Sequence, residues 1–427
     1  MAQAPIGFRE ALGFWTKLGF ISFGGPAGQI AIMHRVLVDE RKWIEEERFL
    51  HALNFCVLLP GPEATKLATY IGWLLHGTRG GLAAGILFVL PGALVMLGLS
   101  ILYAIGRGIP AVEGALFGIK AAVLVIVVEA LIRIGRRALK TRFLFGMAAA
   151  AFIGIYFLGI PFPLIVIAAA LTGFFATRAP VGSAAEPAPE GWRYVFKVVA
   201  IGFVLWSAPL VLIALSVGAQ HVLMDVGLFF SKLAVVSFGG AYALLAYMAQ
   251  QAVETHHWMT APEMVDGLGL AETTPGPLIL VTQFVGFLAG YRDPAPFAPL
   301  GAGIAAAALT TWVTFVPPIV LIFAGAPFVE QLRSNQRLSG ALAAITAAVV
   351  GVILNLTVWF ALHVLFGQVR ETRAGPLRWY AFDPLALDLT VAALALLAAV
   401  LAFGLKRGLV ELVLVMAALG VALRLLF

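Results

Sequence analysis

Four interruptions punctuate the long apolar stretches of this chain, and they form two matched pairs. Ser22-Phe23-Gly24-Gly25-Pro26 and Pro60-Gly61-Pro62 lie in the first half; Ser237-Phe238-Gly239-Gly240 and Thr273-Thr274-Pro275-Gly276-Pro277 lie in the second. Glycine and proline together break the hydrogen-bond ladder of a helix. The helix that restarts after each break has free backbone N–H groups at its first turn, and its aligned peptide dipoles place partial positive charge there. Such an end accepts an anion. Hydroxyls stand beside the breaks, on Ser22, Ser237, Thr273 and Thr274. The expected anion contacts are therefore Ser22, Gly24, Gly25, Pro60, Gly61, Pro62, Ser237, Gly239, Gly240, Thr273, Thr274, Pro275, Gly276 and Pro277. Packing kinks are the plainer explanation of Gly and Pro in apolar helices. Recurrence of the breaks in both halves, beside hydroxyls, favours a site.

Charges inside apolar segments are costly and point to function. Lys66 follows Glu63 at a spacing that permits a pair on one helix face. Lys120 sits in Gly118-Ile119-Lys120-Ala121. Both lysines are expected to balance a divalent anion. The matching second-half positions are Leu278, Val281 and Thr346, so the site should be asymmetric. Glu63 is the first candidate for carrying a proton, followed by His51, Asp266 and Glu272. Lys17 and Lys232, equivalently placed before their breaks, read as snorkelling side chains. His256-His257 reads as a loop feature; without a third ligand it makes no metal site, and no cofactor is expected.

The elements that must position these residues are membrane helices. Hydrophobic residues make up 61% of the 427 and charged residues 12%, about half the share in soluble chains. Gly81 to Gly106, Phe143 to Ala176, Val198 to Gln220, Ala295 to Val329 and Leu338 to Val369 carry no Asp, Glu, Lys or Arg. About 20 apolar residues span a bilayer as a helix, and in lipid the backbone must satisfy its own hydrogen bonds. These segments lack the alternation of barrel strands. The net charge of +6 reads as basic residues gathered in cytoplasmic loops. With no basic stripe interleaved with aromatics, nucleic acid is not an expected partner. Cys56 is the single cysteine, so neither a disulfide framework nor a thiolate metal cluster is expected. Arg9, Glu10 and Lys17 interrupt the N-terminal segment, which does not read as a cleaved signal peptide.

The chain repeats itself. Phe14 to Pro62 aligns without gaps on Phe229 to Pro277 at a constant offset of 215, carrying Trp43 onto Trp258 and Pro60-Gly61-Pro62 onto Pro275-Gly276-Pro277. Later, Pro91 and Gly114 match Pro317 and Gly340 at an offset of 226. We divide the chain into repeats 1–177 and 229–427, joined by 178–228, where an Ala/Pro/Gly-rich linker leads into an unpaired span. Six segments in each half and one between them give about thirteen transmembrane helices. A six-segment unit returns to its starting side, so the added span turns the second repeat upside down. The expected fold is all-α and polytopic, with two inverted-topology repeats and broken helices meeting near the midplane. Loop charges agree in part: Arg133, Arg136, Arg137, Lys140 and Arg142 fall inside, whereas Arg370, Arg373 and Arg378 fall outside.

Phe20-Ile21-Ser22-Phe23-Gly24-Gly25-Pro26, Asp39-Glu40-Arg41-Lys42-Trp43, Leu59-Pro60-Gly61-Pro62 and Thr274-Pro275-Gly276-Pro277-Leu278 together resemble the chromate ion transporter family, in its long two-domain form. The resemblance covers nearly the whole chain. It implies chromate export from the bacterial cytoplasm through the inner membrane, driven by the proton-motive force, with resistance to chromate as the result. Sulfate, similar in shape and charge, is the alternative substrate, and an anion channel the alternative mode. A membrane enzyme would need a nucleophile–base pair or metal cluster, and none is seen. The implied partners are chromate or sulfate, protons and the lipid bilayer, with a homodimer among the candidate assemblies. Ala241 stands where the first half has Pro26, and His256-His257-Trp258 replaces Arg41-Lys42-Trp43, so the halves are not expected to act equally.

Overall fold

The computed structural model describes residues 6–23, 25–106, 108–177, 192–238, 241–328 and 336–426. Gly24, Gly239, Gly240 and the linker 178–191 lie outside the described residues. Helices dominate, as expected. Among the described residues, six helices are long and apolar enough to cross a membrane: Glu63–Ile105, Pro110–Ala138, Trp192–Ser216, Pro299–Gly325, Gln336–Leu365 and Leu409–Leu426. The chain forms two compact units, each drawing on both sequence halves. The first comprises 1–98, 179–241 and 274–339; the second comprises 99–178, 242–273 and 340–427.

In the first unit, the helix Phe8–Ile21 stops at Ser22 and a new one runs Gly25–His34. Glu46–Leu58 stops before Pro60-Gly61-Pro62, and Glu63–Ile105 begins after it. That last element is two helices. His76 (φ −141°) and Gly77 (φ +62°) are non-helical, and the chain doubles back there. Gly72 and Gly80 then meet so closely that a Cβ on either would lie 2.4 or 2.2 Å from the other's carbonyl oxygen. The second half builds the same turn from Val281–Arg292 and Pro299–Gly325, with Gly290 against Ala302. Its connection, 293–298, is longer than the His76-Gly77 turn and supplies part of the growth of the repeat offset from 215 to 226. Trp192–Ser216, without a partner in the repeat, docks by two indole bonds: Trp206 to the Val313 carbonyl (3.2 Å) and Trp312 to that of Leu205 (2.8 Å). Its other face leaves Phe196, Phe203, Leu212 and Leu215 exposed.

The repeat extends to backbone detail. Trp43 N–H donates to Leu37 (2.8 Å) and Trp258 N–H to Ala252 (2.9 Å), and the preceding residues, Lys42 and His257, both adopt φ 52°. All three pairs of positions obey the offset of 215.

In the second unit, Pro110–Ala138 packs on Leu409–Leu426 through Gly118 and Gly420, where a Cβ would strike the carbonyls of Met416 and Gly114. Ala261–Thr273 crosses the same helix with Gly269 on Ile119. One feature departs from the all-α expectation. Val369–Ala374 and Leu377–Phe382 form an antiparallel hairpin, where only a polar loop was expected. The reason is local: Gly375-Pro376 makes a two-residue loop with Gly375 at φ +60°, the conformation such hairpins need. Arg378, 3% exposed, fastens the hairpin to the helix Arg142–Tyr156 by donating to the carbonyls of Ile155 (2.6 Å) and Tyr156 (3.3 Å). It also pairs with Glu254 and Glu371 at 3.6 and 3.7 Å. Tyr380 donates to Glu254 (3.0 Å); burial first, then Glu254, pushes its phenol above the usual range, so it stays a donor.

Candidate functional site

The breaks of the two halves are bonded to each other. Gly276 N–H donates to the Ser22 carbonyl (2.9 Å), and Gly61 N–H donates to that of Ser237 (3.0 Å). Ser22 and Ser237 are equivalent in the repeat, as are Gly61 and Gly276, so one bond is made twice with the halves exchanged. The steric contacts repeat likewise. A Cβ at Gly61 would lie 2.4 Å from Pro318 Cγ; a Cβ at Gly92 would lie 2.1 Å from the Pro275 oxygen. Gly92 and Pro318 match at the offset of 226. Glycine is required at Gly61 and Gly276 on a second count, since both hold positive φ, +107° and +89°. Gln29, 1% exposed, bridges one crossing: its Nε2 donates to the carbonyls of Gly276 (2.5 Å) and Ser22 (3.3 Å).

The hydroxyls beside the breaks are themselves engaged. Ser22 donates to Leu18 (2.6 Å), Ser237 to Ala234 (2.8 Å) and Thr273 to Leu270 (2.7 Å), so these three hydroxyl protons are held within their own helices. Thr274 is buried. Gly25, at φ +69°, opens the helix that follows the first break. Pro60 and Pro62 flank Gly61 half-buried, whereas Pro275 and Pro277 are buried. Pro62 and Pro277 have no N–H, and each directly precedes a restarting helix. Beyond Pro62, the amides of Glu63, Ala64 and Thr65 have no carbonyl four residues back within that helix, and the first intrahelical bond runs from Lys66 N–H to Pro62 (3.0 Å).

Lys66 is 1% exposed. Its ammonium reaches back across the break to the Leu59 carbonyl, at the C-terminus of Glu46–Leu58, where the helix dipole favours a cation. The Glu63–Lys66 pair that the spacing permits is therefore not formed; the end of the neighbouring helix offers the closer acceptor. Glu63 itself is half-buried. Lys17 and Lys232 are exposed. His51 is half-buried, 3.7 Å from Glu47.

The remaining candidates lie in the second unit. Asp266 is 4% exposed; Tyr103 donates to its Oδ2 (2.9 Å), and Lys120 Nζ lies 3.4 Å from its Oδ1. Glu272, also buried, accepts from Tyr242 (2.9 Å). The first-half counterparts of Asp266 and Glu272 are His51 and Val57. Sequence reasoning found these acids and Lys120 separately and missed Tyr103, Tyr242 and Gln29. Gln29, a lone amide in an apolar stretch beside a break, carried a readable signal; the tyrosines did not. Among the described residues no three metal-ligating side chains gather.

The chain matches the chromate transporter family over residues 9–174 and 224–423, one segment in each half. It is 33% identical over 369 residues to a chromate transport protein of Pseudomonas aeruginosa, covering 83% of this chain and 81% of that one. A chromate transport protein of Cupriavidus metallidurans is 26% identical, with 83% and 82% covered. An uncharacterized transporter of Methanocaldococcus jannaschii is 27% identical, with 82% and 83% covered. No solved structure matches. The chain thus belongs to the chromate transporter family, as a multi-pass membrane transporter and not an enzyme.

Proposed function

We propose that this chain transports chromate, as the names of its relatives suggest, and that it does so by export from the cytoplasm across a bacterial inner membrane, conferring chromate resistance. The observation that carries the reading is the reciprocal bonding of the breaks, Gly276 to Ser22 and Gly61 to Ser237. A pair of equivalent segments that exchange equivalent bonds is related by a two-fold axis. We take that axis to lie in the membrane plane, so that repeats 1–177 and 229–427 run in opposite directions, with 178–228 supplying the odd span of thirteen.

The oxyanion is held at the restarted helix after Pro62. The amides of Glu63, Ala64 and Thr65 donate to it, and Lys66, in the first turn of the same helix, adds a buried cation. Gly25, Gly61, Gly276 and the prolines shape the backbone around it. With their protons held by helix carbonyls, Ser22, Ser237 and Thr273 orient the breaks instead of donating to the anion.

The driving force follows from charge. A dianion leaving a cell whose interior is negative by ~100 mV gains about 4.6 kcal/mol, a gradient on the order of 2,000-fold. Proton coupling runs through Glu63, which starts the same helix; a proton bound with the dianion leaves with it, so the charge moved falls to one and the gradient falls below that set by the potential alone. An ionised Glu63 repels the dianion, so binding favours its protonated form, and release favours proton loss.

Sulfate competes as a tetrahedral dianion of the same charge, and backbone amides do not distinguish the two. The test is chromate uptake into everted vesicles. Wild-type protein should concentrate chromate in the lumen, and Lys66→Met should not. Uptake that follows the membrane potential alone, with no response to a pH gradient imposed while the potential is clamped at zero, would mark a channel and sink the proposal.

A further inference from the structure

A polar cavity of about 820 Å³ opens within the second unit. Glu113, Leu116, Phe117 and Lys120 line it from one face of Pro110–Ala138, at the spacing of successive helical turns. Tyr103, Asp266 and Arg424 complete its polar wall. Two ion pairs stand in it. Arg424–Glu113 (3.2 Å) is at the rim, with side chains 62% and 44% exposed. Lys120–Asp266 (3.4 Å) lies deeper, with side chains 27% and 5% exposed. The seven residues from Glu113 to Lys120 set the pairs about 10 Å apart along the helix.

We infer that this cavity is a second site for a tetrahedral dianion, and that the dianion binds there only together with a proton on Asp266. The inference rests on the reading of the chain as an oxyanion transporter. Among the described residues that line the cavity, each cation is matched by a carboxylate, and these pairs offer a dianion no net attraction. The two carboxylates differ. Glu113 sits at the exposed rim, where water screens it. Asp266 is enclosed, and its two oxygens have separate tasks: Oδ2 accepts from Tyr103 and Oδ1 faces Lys120. A proton placed on Oδ1 keeps the Tyr103 bond and releases Lys120. The ammonium is the more exposed partner of the pair, so it turns to the cavity without being further buried. One proton thus converts a neutral cavity into one carrying a unit positive charge beside a hydroxyl and an arginine. Among the described residues, the charged and titratable groups that line the cavity with Asp266 are Lys120 and Glu113 from Pro110–Ala138, Arg424 from Leu409–Leu426, and Tyr103. On its own helix Glu263 points to the helix start, accepting from Thr260 N–H (2.8 Å).

Sulfate is the probe, since it stays a dianion across the pH range used. Its binding is measured on the purified full-length chain in nanodiscs, in a Lys66→Met background that disables the site at the breaks. Binding should persist there and weaken at least about tenfold between about pH 6 and pH 8, a coupling of ordinary size. Asp266→Asn, which keeps an acceptor for Tyr103, should bind tightly with no pH dependence. Lys120→Ala should lose binding. Glu113→Gln adds the same charge at the rim and should keep the slope of its parent. The inference is overturned if the Lys66→Met protein binds no sulfate, if Asp266→Asn keeps the slope, if Lys120→Ala binds like its parent, or if Glu113→Gln flattens the slope as Asp266→Asn does. Sulfate binding by the wild type that vanishes in Lys66→Met would overturn this site alone and leave the transporter reading standing.

Discussion

Gly92→Ala tests whether the crossing of the breaks holds the first unit together. The new Cβ would lie 2.1 Å from the Pro275 oxygen, where an ordinary carbon–oxygen contact needs about 3.4 Å. Neither atom is the free end of a side chain, so a backbone must give by about an ångström. Pro275 directly precedes Gly276, whose N–H bond to Ser22 is 2.9 Å long; a shift of that size breaks it. Overpacking costs about 1–3 kcal/mol, and the lost bond about 1 kcal/mol more. Gly98→Ala is the control on the same helix element. A Cβ there meets nothing within 4 Å, and removing a helical glycine stabilises by about 0.5–1 kcal/mol. The same chemical change should thus lower thermal stability at Gly92 and leave or raise it at Gly98. Chromate uptake should fall at least about tenfold for Gly92→Ala, the effect of ~1.4 kcal/mol at a site whose geometry is lost. Equal stability and equal uptake for the two variants would refute the reasoning, because the close crossing would then have no energetic meaning.

Other substitutions separate the roles of charged groups. Lys66→Met should fold, since removing a buried charge relieves its desolvation, yet bind oxyanion about 30-fold or more weakly, the low end of ~2–5 kcal/mol for a desolvated partner; binding by calorimetry checks it. Glu63→Gln should still bind substrate but transport it with no response to an imposed pH gradient, read in everted vesicles; a wild-type response would remove Glu63 from the coupling. Arg378→Ala leaves Glu254 and Glu371 without their shared cation and should lower stability by about 3 kcal/mol, with faster proteolysis of the hairpin 369–382 while isolated chromate binding is kept. Single cysteines placed near Trp43 and Trp258 should label from opposite sides of the membrane; same-side labelling would end the inverted arrangement.

Much of this was legible because it rests on backbone chemistry. Gly24-Gly25 and Pro60-Gly61-Pro62 announce broken helices in any apolar stretch, and the gap-free register from Phe14 to Pro62 announces the repeat. The matched φ of Lys42 and His257 shows how far that register reaches. What stayed hidden depended on which side chains meet across long separations. Tyr103 and Asp266 are 163 residues apart, and no local pattern joins them. The Glu63–Lys66 spacing pointed to a pair, but a helix C-terminus at Leu59 competed for the ammonium and won. The hairpin was hidden in a stretch of charges, Arg370, Glu371, Arg373 and Arg378, whose alternation reads as loop until Gly375-Pro376 is recognised as its turn.

Backbone and side chains therefore divide the work. The breaks, the glycine crossings and the doubled-back helices occur twice, and they supply dipoles and amides to both halves alike. Most of these ionisable groups occur once, Glu63 and Lys66 against Leu278 and Val281 and Glu272 against Val57, while Asp266 is matched in the repeat by a group of opposite charge type, His51. An inverted pair of identical repeats would have equal energies facing either side of the membrane and no preferred resting state. Buried charges are the largest local energies available in such a chain, so placing them in one copy of each element is the strongest way to make the two facing states unequal. A dianion and a proton interact with those charges and hardly with the apolar residues that replace them. Each ligand thus shifts the balance between states by the difference in its affinity for the two. On the inverted arrangement proposed above, the departures from the repeat, more than the repeat itself, would set the direction of transport.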